Sequence, residues 1–461
     1  MLKLRVSPTD WLSALVYRLI PLPEELQRIK DLFPNEAVVQ AAQPYYDLDQ
    51  GRPSEDPRLL TKILFLSFFF AVEGDNNTLQ ALTYRLDWRQ FCGLSLLEKL
   101  PARSTLVTFR RRVGPAVIET LFTGFVEKLR EEGLISHHHR FFDGTPAKAR
   151  ASINPYRDDI YEVSRKCLAV QEASSSSDTV ELPPELNPSP VQLTKREYPV
   201  DDQRVKARRK QPMKPVAERQ SAGDPDAHFQ RGKHGKPSVL GYEVFFTTDS
   251  EQLFIEAVDV STKANQGVSI FEHKLDESQP GQEWSVDGEF PVGDILAKAE
   301  EKQVILHTPA RPESTTGMLP KTVFVYQPES DTYLCPNQQT LLYVSINRKT
   351  EAKTYRGPAG TCTGCPFRDR CTTAKTGRSI TRSAYEEQYE RQREHARTPE
   401  AVMGRVLRGI VAEGKFGEAV RHGLKKMRYV GKTMAVMQSQ LVATILNFKR
   451  FLRVKPVSSL A

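Results

Sequence analysis

The chain has 461 residues, more than one ordinary hydrophobic core absorbs, so two or three domains are expected. Its 39% hydrophobic and 26% charged residues suit a globular protein, and a net charge of +8 is compatible with a nucleic-acid partner. The basic residues cluster at 109–114, 204–214 and 405–432, and clustering matters more than net charge for such a partner. No amino-terminal stretch has a signal-peptide layout. The most apolar run, 59–72, contains Lys62 and is too short to cross a bilayer. Six cysteines in so long a chain do not make a disulfide framework, so a cytoplasmic protein with no membrane partner is expected.

Residues 10–135 read as helices. Asp56 is placed to cap a helix with Pro57 at its first position, and the run at 59–72 reads as a helix buried on most sides. Residues 76–94 read as one helix ended by Gly93. In "PARSTLVTFRRRVG" (101–114), Ser104 is placed to cap a short helix carrying Arg110, Arg111 and Arg112. Successive helices with a basic last member resemble a helix-turn-helix-like DNA-binding unit. A helical bundle with a solvated basic face fits the same pattern.

From 138 the texture changes. "HRFFDGTPAKARAS" reads as a strand that ends in a turn at Asp143-Gly144. Residues 171–222 are rich in Ser, Pro and charge and read as a flexible insertion. Two apolar runs in 240–261 flank "TDSEQ", the pattern of a β-hairpin. Residues 283–310 read strand, turn, helix, strand, a βαβ crossover with Asp287 at the end of its first strand. Ligand sites in such sheets lie beyond the carboxyl ends of the strands. Regular order is expected to break across 311–400. Residues 411–429, "VAEGKFGEAVRHGLKKMRY", then read as a basic amphipathic helix, and 437–452 as an apolar-periodic one.

Three carboxylates stand out. Asp143 and Asp287 each precede a glycine at an expected strand end, and Glu413 opens the basic helix. If the three converge, their repulsion implies a divalent cation, and all-oxygen ligation favours Mg²⁺ or Mn²⁺. Two such ions about 4 Å apart serve in-line displacement at a phosphodiester. Asp-Gly is also a common turn dipeptide, and Asp259 is the strongest competing acid. Glu413 also has a plain reading, as an acidic residue near a solvated helix N-terminus.

At these residues the sequence resembles the InsH-type insertion-sequence transposases. "GRPSEDPRLLTKILFLSFFFAVEGDNNTLQALTYRLDWRQFCGL" and "PARSTLVTFRRRVG" look like their amino-terminal domain. "FFDGTPAKARAS", "DPDAHFQRGKHGKPSVLGYEV" and "WSVDGEF" are similar to successive blocks of their catalytic core. "AEGKFGEAVRHGLKKMRYVG" with "MQSQLVATILNFKRFL" is similar to the closing block that supplies a glutamate. The resemblance covers most of the chain outside 171–222. It implies an α/β protein with an RNase H-like mixed-sheet catalytic core, a helical N-terminal domain and a cysteine-containing insertion. The DDE triad of that family carries over onto Asp143, Asp287 and Glu413. Gly288-Glu289-Phe290 departs from the usual residues after the second acid, and Val420 stands where a basic residue is common.

The organisation expected is a DNA-binding domain at 1–136, the first part of the catalytic core at 137–310 and the insertion at 311–400. Helices completing the core follow at 401–454, then a tail at 455–461. The activity implied is Mg²⁺-dependent DNA cleavage and strand transfer at the terminal inverted repeats and target of a mobile element, by a homodimer in the cytoplasm at the nucleoid. Expected DNA contacts are Ser104, Thr105, Arg110 and Arg111 in the amino-terminal domain. Lys415, Arg421, Lys425 and Arg428 join them from the basic helix, where the last three share a face. A catalytically inactive DNA-binding derivative and a metal nuclease without strand transfer are the competing readings.

Cys362 and Cys365 form a C-x₂-C pair, followed by Cys371 and preceded by Cys335. Together they can close a tetrahedral structural zinc site, or they form a loop of reduced thiols held by packing. The same pattern recurs in the resembling transposases between the second and third acids. Cys92 and Cys167 stand apart and read as incidental thiols. Of His137, His138 and His139, at most two can face one ion on an extended segment, and the three read as a polar lead-in to a strand.

Overall fold

In this computed structural model, residues 2, 4, 10–47, 53–151, 194–195, 217–218, 223–230, 238–263, 266–310, 318–348, 350–358 and 360–455 are described. The expected flexible passage at 171–222 lies outside the described residues, apart from a two-residue strand pairing within it, and Cys167 lies outside them too. The chain is mixed α/β. Eight α-helices come first among the described residues: α1 (Trp11–Leu19), α2 (Glu24–Leu32), α3 (Asn35–Ala42), α4 (Pro57–Phe69), α5 (Asp75–Tyr84), α6 (Leu86–Cys92), α7 (Arg103–Arg112) and α8 (Gly114–Glu131). Strand β1 (His139–Lys148), the short pair β2 (Thr194–Lys195) and β3 (Ala217–Glu218), then β4 (His228–Gln230), β5 (Val239–Asp249) and β6 (Ile255–Ser261) follow. Next come α9 (Gly267–Asp276), β7 (Glu283–Val286), α10 (Gly293–Glu301) and β8 (Ile305–His307). Strands β9 (Val325–Gln327), β10 (Thr332–Leu334), β11 (Thr340–Asn347) and β12 (Ala352–Arg356) precede α11 (Arg368–Cys371) and β13 (Ser379–Arg382). The chain closes with α12 (Glu386–His395), α13 (Pro399–Arg421) and α14 (Lys432–Val454).

Two compact units divide the chain. The first comprises 1–136, 143–267 and 411–461; the second comprises 137–142 and 268–410.

In the first unit the long α14 is the spine. Phe448 stacks on Phe125 of α8 at 4.2 Å between ring centres and meets Phe65 of α4 edge-on at 5.8 Å. Its Asn447 bridges to β6, accepting from the Ile255 N–H at 2.8 Å and donating to the Ile255 carbonyl at 2.9 Å. A buried amide so satisfied fixes the helix against one strand register. Helix α4 is capped by Asp56, whose carboxylate accepts from the Arg58 N–H, and twelve of its thirteen residues are buried, as its composition predicts. The hairpin expected at 240–261 is present as antiparallel β5 and β6; β4 pairs with the first residues of β5 and β6 with the later ones, and the later part of β1 lies alongside β5.

Three local expectations fail here, each for a packing reason. The single helix expected over 76–94 breaks at Arg85, which is extended and separates α5 from α6. Its guanidinium lies over Phe70 and Trp88, at 4.3 and 5.3 Å, and pairs with Asp87. Ser104 does not cap α7: the helix begins one residue earlier, Ala102 holds the cap position, and no side chain caps it. Burial of Leu106, Phe109 and Arg110 decides that phase. Finally, β1 runs straight through Asp143-Gly144 instead of turning there. A Cβ at residue 144 would lie 2.6 Å from Cδ1 of Phe245, so the glycine serves the close approach of β5.

In the second unit the first residues of β1 lie parallel to β7, and β7 lies parallel to β8. This is the βαβ crossover the sequence predicts, with α10 between β7 and β8. One face packs Phe142, Phe271, Trp284 and Phe290 as an aromatic cluster, with ring centres 5.2–5.7 Å apart. The segment expected to lose regular order, 311–400, instead holds a five-stranded antiparallel sheet in the order β13-β12-β11-β10-β9. Its core is small: Phe324, Tyr333, Leu341, Tyr355 and Ile380. Hydroxyls of Tyr355 and Tyr326 donate to Asp331, which also pairs with Lys353; these bonds hold its carboxyl down at about 2.

Candidate functional site

The three acids fall in different places. Asp143 lies inside β1, in the first unit, and its Oδ1 accepts from the Gly144 N–H at 2.8 Å. Asp287 follows the last residue of β7, in the second unit, with Oδ1 accepting from the Gly288 N–H at 2.7 Å and 3.8 Å from the Arg408 guanidinium. Glu413 is exposed on α13, in the part of that helix belonging to the first unit. Residue Phe142 of β1 is the register partner of Val286 of β7, and in each chain segment an acid comes next. The competing Asp259 sits within β6, opposite Phe245.

The basic positions separate into two kinds. Ser104 and Arg111 are exposed on α7, and Thr105 is half-buried. Arg110 is buried: it grips Asp75 of α5 through both carboxylate oxygens, at 2.8 and 3.1 Å, and lies 4.2 Å from the Tyr429 ring centre. It ties helices together.

The basic helix expected over 411–429 stops at Arg421. Gly423 has φ of +94°, a conformation that suits glycine, and the next residues turn back. They attach to the end of β1, where the Met427 N–H donates to the Lys148 carbonyl at 2.7 Å and the Lys148 N–H to the Lys425 carbonyl at 3.0 Å. Buried Gln438 of α14 secures the loop, accepting from the Arg428 N–H and donating to the carbonyls of Gly423 and Lys426. Arg421, Lys425 and Arg428 therefore do not share a helix face. Arg421 and Lys425 are exposed, whereas Arg428 lies over Phe68 at 3.9 Å and donates to the Val72 carbonyl. Lys415 is half-buried on α13, and burial pushes its ammonium down to about 8.

The four clustered cysteines line one cavity of about 30 Å³ in the second unit, together with Leu319, Phe324 and Arg378. The C-x₂-C segment turns at Gly364, with φ of +74°. Cys335 opens a tight turn in which the Gln339 N–H donates to its Sγ at 3.4 Å. Burial raises the Cys371 thiol, against Arg378, which lowers it; the three other cysteines raise it further. All five described cysteines, Cys92 included, are free thiols.

A second cluster escaped the sequence reading. Among the described residues, the group whose potential ligand atoms all lie within 4.8 Å of one another is His139, Glu283 and His307. His139 begins β1, Glu283 begins β7 and His307 ends β8. The available signal was alternation: residues 283 and 285 share one face of β7, the strand that leads into Asp287.

Among the described residues no helix is long and apolar enough to cross a membrane. Residues 334–452 match a family model described as "Transposase DDE domain", and residues 15–112 one described as "Transposase domain (DUF772)". Glu413 and the four clustered cysteines fall inside the first match, the α7 positions inside the second, and Asp143 and Asp287 outside both. No curated protein matches the chain. A solved structure, "Cryo-EM structure of piggyBac transposase synaptic complex with hairpin DNA", is similar at 10% identity and a TM-score of 0.26, covering 96% of this chain and 82% of that one.

Proposed function

We propose that this chain, which its two family matches mark as a DDE insertion-sequence transposase, cleaves and joins DNA with Asp143, Asp287 and Glu413. Its DNA substrates are the terminal inverted repeats of its own element and a target, engaged by a homodimer at the nucleoid. We read its mixed sheet as an RNase H-like core. The observation that carries the catalytic reading is the parallel register of β1 and β7, in which the paired Phe142 and Val286 are each followed by an acid.

The donor chemistry fits the implied ion. Carboxylate oxygens alone suit Mg²⁺ or Mn²⁺ better than Zn²⁺. When bound, such ions activate a nucleophile and stabilise the leaving oxygen of a phosphodiester. The protein's own contribution is orientation. The Gly144 N–H fixes one oxygen of Asp143, and the Gly288 N–H does the same for Asp287. Arg408, at 3.8 Å from Asp287, offsets the repulsion that neighbouring carboxylates bring. Ser104, Thr105, Arg111, Arg421 and Lys425 are the positions with side chains open to DNA, the three cations among them through counterion release at phosphates. Arg110 and Arg428 serve binding indirectly, by positioning α7 and the loop after α13. The cavity shared by Cys335, Cys362, Cys365 and Cys371, with a backbone N–H aimed at one sulfur, supports a structural Zn²⁺ there.

The test supplies element-end DNA and Mg²⁺ to wild type and Asp287→Asn. Wild type is expected to yield nicked and joined products, and the variant neither. A variant that cuts as well as wild type refutes the assignment of Asp287. Cutting without joined products makes the chain a nuclease, and binding without cutting makes it an inactive derivative.

A further inference from the structure

We propose that His139, Glu283 and His307 form a zinc site distinct from the three acids and independent of the catalytic reading. The three ligands come from three adjacent parallel strand segments of the second unit. His139 and Glu283 are direct register partners, and His307 pairs with Ser285, two residues further along β7. Their side chains therefore project from one face. The opposite face of the same strands carries the aromatic cluster of Phe142 and Trp284.

The distances are those of a site that needs small adjustment. Nε2 of His307 lies 2.9 Å from Oε2 of Glu283, and Nδ1 of His139 lies 4.0 Å from the same oxygen. Donors around a tetrahedral zinc with bonds of about 2.0–2.1 Å stand about 3.3 Å apart, and the two observed separations bracket that value. Rotamer shifts of half an ångström would even them out.

The outer partners are those that zinc-binding histidines use. A ligating imidazole keeps its orientation by hydrogen-bonding through its other nitrogen. Nε2 of His139 lies 2.8 Å from Oγ of Ser285, and Nδ1 of His307 lies 3.3 Å from Nε2 of His395, whose ring stacks on it. Both inward nitrogens thus face Glu283 while both outward nitrogens have partners. His307 is only 3% exposed. Helix α13 closes over the cluster at Gly404, where a Cβ would lie 2.8 Å from Oγ of Ser285 and 3.0 Å from Cβ of His307.

Two imidazoles and one carboxylate suit Zn²⁺ rather than Mg²⁺, because nitrogen ligands select the borderline-soft ion. The site is structural. Asp287, just past the end of β7, lies four residues beyond Glu283, about 13 Å at the rise of a strand, so an ion here cannot reach a phosphate held at Asp287. It would instead fasten the starts of β1 and β7 to the end of β8.

The experiment uses the full chain with Cys335→Ser, Cys362→Ser, Cys365→Ser and Cys371→Ser, which removes the clustered thiolates that would compete, and circular dichroism confirms that each variant is folded. Chelator-treated protein is reloaded with Co²⁺, a spectroscopic substitute for zinc. Binding of one ion per chain is expected, with d–d absorption and no thiolate charge-transfer band. His139→Gln and Glu283→Gln should each weaken binding by about 10–100-fold or more, and Ser285→Ala by about 10-fold. Because His139 and Glu283 are only half-buried, the test stands on those two variants even if His307→Gln or Ser285→Ala fails to fold. Folded protein that takes up no Co²⁺ or Zn²⁺, or that binds equally well after His139→Gln and Glu283→Gln, overturns the proposal. Asp287→Asn should leave this binding unchanged, so its outcome is independent of the cleavage assay.

Discussion

Arg110→Ala should cost the first unit stability, not merely DNA contacts. Arg110 is 8% exposed, and its guanidinium is held by both oxygens of Asp75, with Tyr429 beneath it at 4.2 Å. Removing one partner of a buried ion pair costs about 3–5 kcal/mol, chiefly because the other charge is stranded. The Asp75 side chain retains 20% exposure, so water recovers part of that cost and the lower end applies. Loss of the cation–π contact adds about 1 kcal/mol, giving about 4 kcal/mol in all. Urea denaturation followed by circular dichroism reads the loss directly. Arg111→Ala, one residue along and exposed, is the control and should stay within about 0.5 kcal/mol of wild type. Asp75→Ala added to Arg110→Ala should restore part of the stability, since neither charge is then left alone. If Arg110→Ala lost less than about 1 kcal/mol while weakening DNA binding as much as Arg111→Ala, the residue would be facing DNA and the buried-pair account would be wrong.

Gly144→Ala should lower stability by about 1–3 kcal/mol through overpacking against Phe245; adding Phe245→Leu should recover much of it, and a thermal melt unchanged by Gly144→Ala would remove the packing reason for the glycine. Lys415→Met should stabilise at pH 7 by about 1 kcal/mol, a value discounted for the side chain's partial exposure. The folded lysine titrates near 8, lowered by burial, and the unfolded one near 10.4. At pH 7 both states are protonated and the folded state bears the full cost. Between those values the folded chain sheds its proton first, so wild-type stability rises with pH and the variant's advantage should shrink. Melts at pH 7 and 9.5 check the sign, and an advantage that grew with pH would contradict it.

Local signals carried the reading where one element decides its own fate. The capping Asp56 with Pro57, the apolar run after them, the hairpin at 240–261 and the crossover at 283–310 all form as their residues predict. The misreadings share a cause: a distant side chain or strand overrules a local propensity. Asp143-Gly144 has turn composition, yet the ring of Phe245, a hundred residues on, turns the glycine into a clearance for a passing strand. Residues 422–429 keep helical composition after Gly423, yet Gln438 and the end of β1 take the backbone hydrogen bonds that a helix would need. The cysteine-bearing segment lacks strong alternation because several of its strands are exposed on both faces, with β11 buried at Leu341 alone.

The histidine cluster shows the same limit at the level of chemistry. Three adjacent histidines at 137–139 invite a metal reading by their proximity in sequence, and alternation lets at most two of them face one ion. What the sequence hides is that only His139 matters, with partners 144 and 168 residues away brought alongside by strand pairing. The pairing that sets His139 beside Glu283 also pairs Phe142 with Val286, the residues before the two proposed catalytic acids. A one-residue slip of β1 against β7 would move every side chain of that strand to the other face. An ion held by His139, Glu283 and His307 would resist such a slip. On that argument zinc loss should disturb cleavage through strand register, so a chelated protein should recover activity on reloading with Zn²⁺ while Mg²⁺ is held constant, and recovery on Mg²⁺ alone would separate the two sites' roles.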